Sequence, residues 1–216
     1  MTFRGHGHFY GWTNAGKTSM DVGELRAAFL ATEGLHQSIR RFRNERLGII
    51  DADDSVVSMW PGPKVILHVV SLEAFTSDRR IEITKPNDIL LPLGADDYAN
   101  ARWTLEGLAS LPSGGDEQTS VEDYAMLFRT GAIEAVSSLG RRMEGSNRLP
   151  LPSVERDLIS SLRVYRAKLA EKDISMPLYV FVTLIGVRGN YPWVWRTTGL
   201  KDSALRSLKL SSCRRW

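Results

Sequence analysis

The spacing of apolar residues changes along this chain, and the changes mark its elements. From Asp21 to about Leu47, Leu25, Phe29, Ile39 and Phe42 recur at helical spacing with charges between them, which predicts a long amphipathic helix. Asp21-Val-Gly-Glu24 has the spacing of a capping box, with Asp in place of the usual Ser or Thr, so the helix is expected to start there. Gly34 is a point at which it could weaken or divide. A second helix is predicted from Ser153 to about Lys172, where Val154, Leu158, Leu162, Tyr165 and Leu169 form one stripe behind a Ser153 cap.

Between the helices the period falls to two. Lys64 to Leu72 (KVILHVVSL) is apolar on both faces, as a central strand would be, and the preceding Trp60-Pro61-Gly62-Pro63 cannot be helix. Val121 to Val136 reads as two strands joined at Thr130-Gly131, a hairpin with a glycine available for positive φ. A last buried strand is expected from Leu178 to Val187, and shorter ones near Ile81 and Trp103. Leu111–Thr119 and Glu144–Pro152, rich in Gly, Ser and Pro, read as surface loops. The prediction is an α+β fold: a mostly antiparallel sheet with two main helices packed on it.

Composition is compatible with one large domain or a domain with appendages: of 216 residues, 43% are hydrophobic and 25% charged, with six Trp, six Tyr and seven Phe to fill a core. A net charge of +3 permits contact with an anionic partner but falls short of a dense basic footprint. The single cysteine, Cys213, excludes an internal disulfide and a Cys-based zinc cluster, and suits a reducing cytoplasm. No apolar run is long enough for a spanning helix, and MTFRGHGHF lacks the apolar core of a signal peptide, so neither membrane nor export is expected.

One motif invites a nucleotide. Gly11 to Thr18 (GWTNAGKT) fits the phosphate-loop pattern, in which Gly11 and Gly16 would free backbone N–H groups for phosphates, Lys17 would add a cation and Thr18 a magnesium ligand; ATP with Mg would be its cofactor. Its surroundings argue otherwise. Glycine and histidine interrupt the preceding FRGHGHFY, so no buried strand leads into the loop, and the capping box starts the helix one turn too late to aim its amides at a phosphate. The expected reading is a turn between a strand end and a helix cap, with no cofactor and no catalytic residues.

His6 and His8 could clamp a metal from one strand face but lack a nearby third ligand, and His68, inside an apolar strand, reads as a hydrogen-bonded core histidine. Asp51-Ala-Asp53-Asp54 opens like a calcium loop, yet Val56 and Gly62 stand where glycine and a bidentate glutamate are needed. Arg40, Arg41, Arg43 and Arg46 form the one basic cluster that suits phosphate recognition, which makes nucleic acid the candidate partner. A solvated helix face with Glu33 and Glu45 as partners is the competing reading.

Five segments, FYGWTNAGKTSMDVGELRAAF, IRRFRNERL, PGPKVILHVVSLEAF, YAMLFRTGAIEAV and PLYVFVTLIGVRG, resemble in that order prokaryotic proteins carrying a Schlafen AlbA-type domain, described as DNA-binding or ATP-binding. The likeness runs from about Phe9 to Gly189. It implies that residues 1–20 are the end of a truncated AlbA-type module, 21–190 an α+β C-terminal domain, and 191–216 a loosely attached or disordered tail. It also implies a cytoplasmic, non-catalytic binding or accessory role, with the module that would contact DNA or nucleotide missing.

Overall fold

Four strands in a meander supply most of one sheet, and two strands from elsewhere in the chain complete it. The computed structural model describes residues 9–13, 16–95, 100–112, 120–140, 143, 149–174 and 176–187. The elements are β1 (Phe9–Thr13), β2 (Gly16–Met20), α1 (Val22–Asp51), β3 (Lys64–Ser71), the single turn α2 (Glu73–Thr76), β4 (Asn100–Trp103), β5 (Gly107–Leu111), β6 (Asp123–Phe128), β7 (Ile133–Ser138), α3 (Leu151–Glu171) and β8 (Leu178–Ile185). β1 and β2 form a separate hairpin, while the main sheet has the order β4-β5-β6-β7-β3-β8 with every neighbouring pair antiparallel. The fold is α+β, with α1 on one face of the sheet and α3 on the other.

Strand alternation sorts the side chains into two cores. Val65, Leu67 and Val69 of β3 join Leu127, Ile133 and Ala135 against Val154, Tyr165 and Leu169 of α3. Their neighbours Ile66 and Val70 join Tyr124, Met126 and Val136 against Ile39 and Ile50 of α1. KVILHVVS is apolar at both phases because both of its faces are covered. The β6–β7 turn lies where glycine predicts it: Gly131 has φ +84°, and its N–H donates to the Phe128 carbonyl at 2.9 Å.

Several expectations need correction. α1 runs on to Asp51 and passes through Gly34 unbroken. α3 starts at Leu151, not behind Ser153; Pro150 stands at the cap and Pro152 in the first turn, where a missing N–H removes no helical bond. The Ser153 hydroxyl donates to the Pro150 carbonyl at 2.8 Å instead of capping. Leu111 therefore closes β5, and Leu151 and Pro152 belong to α3, rather than to loops; 113–119 and 144–148 lie outside the described residues. Ile81 is in no strand, although its N–H donates to the Arg129 carbonyl and its side chain is buried. β8 is the edge of the sheet and only half-buried, because apolar residues on both faces report what covers the faces and nothing about a neighbouring strand.

Candidate functional site

Of the motif residues, Gly11–Thr13 and Gly16–Thr18 fall on the two strands of an antiparallel hairpin, and 14–15 lie outside the described residues. Gly11 faces Thr18, Trp12 faces Lys17 and Thr13 faces Gly16 across the pair, and α1 begins only at Val22. A phosphate loop would join a buried strand directly to a helix N-terminus; here β2 separates the two. The Lys17 ammonium lies over the Tyr10 ring, 3.9 Å from its centroid. Asp21 turns its carboxylate over the first turn of α1, since a Cβ on Gly23 would lie 3.1 Å from Asp21 Oδ1. His6 and His8, like 191–216, lie outside the described residues.

The arginine cluster is divided between solvent and core. Arg40 and Arg41 are exposed, and Arg41 Nε donates to Glu45 at 2.7 Å. Arg43 leans on β8, with Nη2 donating to Thr183 Oγ1 at 2.9 Å and the guanidinium 5.4 Å from the Phe181 ring centroid. Arg46 turns inward between α1 and the sheet.

There Arg46 meets a carboxylate that the sequence reading did not single out. Nε and Nη2 of Arg46 donate to Oε2 and Oε1 of Glu134 at 2.9 and 2.8 Å, a bidentate grip. His68 stands directly across the β3–β7 pair from Glu134, and its Nε2 lies 3.0 Å from Oε2. An ionised carboxylate only accepts, so Nε2 carries the hydrogen. Tyr124, diagonal to Glu134 on β6, donates its hydroxyl to Oε1 at 2.7 Å. Glu134 thus accepts four hydrogen bonds from three side chains. The lid is aromatic: Phe42 sets its ring edge-on to His68 and Phe128, and Arg46 lies 5.2 Å from the Phe128 centroid.

Burial opposes both charges, but the bonds to Arg46 and His68 outweigh it: the Glu134 carboxyl is held down at about 2, and the Arg46 guanidinium is pushed above its ordinary value. Burial and the adjacent carboxylate raise the Tyr124 phenol well above its usual value, so it stays a donor. Glu106 reaches Arg46 Nη1 from the β4–β5 turn at 3.3 Å. His68, Tyr124 and Glu134 have no solvent-exposed surface. Base, acid and cation are all present beneath α1, and of the four only Arg46 keeps any exposed surface, at 6%.

On the other face a cleft of about 790 Å³ opens beside α3. Glu122, Asp123, Arg156, Asp157 and Ser160 are on its wall, and no histidine, cysteine or lysine is among the described lining. It has the size and polarity to hold a small polar ligand. Among the described residues no group of three His, Cys, Asp or Glu side chains is placed to hold a metal, and no helix is long and apolar enough to cross a membrane. No family model, curated protein or solved structure matches the chain.

Proposed function

We propose that this chain is a binding or accessory domain that performs no chemistry of its own, of the kind its resemblance to the C-terminal region of cytoplasmic Schlafen AlbA-type proteins implies. The closure of the Arg46, His68, Tyr124 and Glu134 group carries this reading. General acid–base catalysis needs the proton-transferring atom within hydrogen-bond reach of substrate; here the Glu134 carboxylate, the Tyr124 hydroxyl and His68 Nε2 are spent on one another and on Arg46, and His68 Nδ1, which has no partner among the described residues, is itself fully buried beneath α1. The hairpin formed by Gly11–Thr13 and Gly16–Thr18 supports it from the other side, because these residues lie in paired strands with β2 between them and the N-terminus of α1, rather than in a loop that opens onto that helix.

A nucleic-acid partner would have to be met by Arg40 and Arg41, since Arg43 and Arg46 are engaged within the fold. Two arginines supply only a small electrostatic anchor.

Thermal shift with ATP and magnesium tests the reading. No stabilisation is expected, in the wild type or in Lys17→Ala; magnesium-dependent stabilisation lost in that variant overturns it. Titration of labelled duplex DNA at low salt tests the partner: binding lost in the double variant Arg40→Ala/Arg41→Ala supports nucleic acid, and no binding by the wild type removes it.

A further inference from the structure

The two edges of the sheet are finished differently. β4 has four residues, with Arg102 among them, and its Trp103 ring is approached by Lys85 and Arg129, each 5.7 Å from the centroid. Short length and positive charge are how natural edges resist adding another strand. β8 has neither. It pairs with β3 over eight consecutive residues, from Ser71 opposite Leu178 to Lys64 opposite Ile185, so no bulge interrupts it. LYVFVTLI contains no charge and no proline. No described strand pairs with its other side, so alternate residues turn N–H and C=O groups away from the ladder. Val180 and Val182, neighbours on one face, are 46% and 49% exposed, and Met176, just before the strand, is 67% exposed.

We propose that β8 is a homodimer interface, on which the β8 strand of a second copy pairs antiparallel to extend the sheet. The inference does not rest on the accessory-domain reading. A two-fold axis perpendicular to the sheet keeps each face on its own side, so opposed residues share parity. Centred on Phe181, that axis sets Val180 opposite Val182 of the second copy and Val182 opposite its Val180. The half-exposed valines then bury one another, twice. On the α1 face Tyr179 meets Thr183 of the second copy, and no position of β8 brings like charges directly opposite.

The area is sufficient, though not generous. Eight residues at about 3.3 Å make an edge of about 26 Å, and three layers about 10 Å apart make it about 20 Å deep. That is on the order of 500 Å² per copy, or about 1,000 Å² in total, the lower bound for a specific interface. An interface of that size belongs to the small, weak class, and a dissociation constant on the order of 1–10 µM is the range to be tested. Arg43, held over Phe181 near the axis, approaches Arg43 of the second copy, so added salt tightens the association.

Sedimentation velocity on the full chain tests this across about 1–100 µM, a range that spans the expected constant. Wild type should pass from monomer to dimer, and Val180→Lys/Val182→Lys should stay monomeric while its thermal melt is kept, since both positions are half-exposed. Amide exchange on wild type gives a readout free of any folding defect: exchange in 178–185 should slow as concentration rises. A wild type that stays monomeric throughout, whether the residues after Val187 cover the edge or nothing does, overturns the proposal. So does a lysine variant that dimerises like wild type, or exchange in β8 that ignores concentration.

Discussion

Replacing Glu134 by glutamine keeps the shape of the side chain and removes its charge, leaving Arg46 ionised beneath α1. Glutamine offers one acceptor, so at least one of the two bonds at 2.8 and 2.9 Å is lost, and its NH₂ group is turned against the donors of Arg46, His68 or Tyr124. Only Glu106, on the rim and 59% exposed, still answers the guanidinium. Removing one partner of a buried ion pair costs about 3–5 kcal/mol. Proton linkage gives a second route to the same quantity. The Glu134 carboxyl is held down at about 2 in the fold against 4.5 for a free side chain, a gap of about 2.5 at about 1.4 kcal/mol for each pH unit, or about 3–4 kcal/mol. Between those values the unfolded chain binds the proton and the folded chain does not. Stability from this group is complete above pH 4.5 and is lost as pH falls towards 2. Urea unfolding is the assay: at neutral pH Glu134→Gln should lower the midpoint by about 3–5 kcal/mol's worth at unchanged slope. The stability gap between wild type and variant should then narrow as pH falls from 4.5. A neutral-pH loss under about 1 kcal/mol, or curves that stay parallel in acid, would refute the claim that this pair stabilises the fold.

Three other substitutions probe the same architecture. Tyr124→Phe removes the donor 2.7 Å from Oε1 and should cost about 1.5–3 kcal/mol, with the acid transition moved to higher pH, both read in the same urea series. Gly107→Ala would set a Cβ 2.0 Å from the Leu127 carbonyl on the neighbouring strand; backbone cannot step aside, so the variant should lose its cooperative melt. Asp88, inside the fold, accepts from Thr84 N–H at 2.6 Å and from Lys172 at 2.5 Å. Burial raises its carboxyl, but these bonds outweigh it and hold the carboxyl below the usual range, so Asp88→Asn should cost about 1–3 kcal/mol at neutral pH by denaturant midpoint.

Both long helices, the β3 strand and the hairpin at Thr130-Gly131 were legible because each follows from a local period or a single turn residue. The histidine at 68 was legible too, as a polar group in an apolar strand that must find a partner. Glu134 carries the same signal, since it interrupts an apolar run in the same way and makes the same demand. Arg46 stood with its neighbours as a candidate phosphate ligand or part of a solvated face, whereas it is buried against Glu134; the signal for burial lay in the spacing, since it follows Ile39 by seven residues and precedes Ile50 by four and so shares the face that buries both. What the sequence could not supply was the strand order. β8 and β3 have similar composition, yet one lies at the edge and the other is paired on both sides.

The apolar pattern of β3 poses a problem that the buried charges resolve. Because Val65, Ile66, Leu67, Val69 and Val70 are apolar at both phases, sliding β3 by one residue against β7 exchanges one greasy face for another at little hydrophobic cost. The charged group does not tolerate the slide. Glu134 lies on the α1 face opposite His68 and below Arg46. Moving either strand by one residue sends Glu134 or His68 into the core beside Tyr165 and Leu169, where no arginine waits. A slide of β7 would leave an unpaired carboxylate there and an unpaired guanidinium under α1, each costing several kcal/mol, while a slide of β3 would strand the His68 imidazole away from its carboxylate. Hydrophobic burial thus stabilises the sheet while scarcely distinguishing its registers, and one carboxylate held by three side chains makes that distinction.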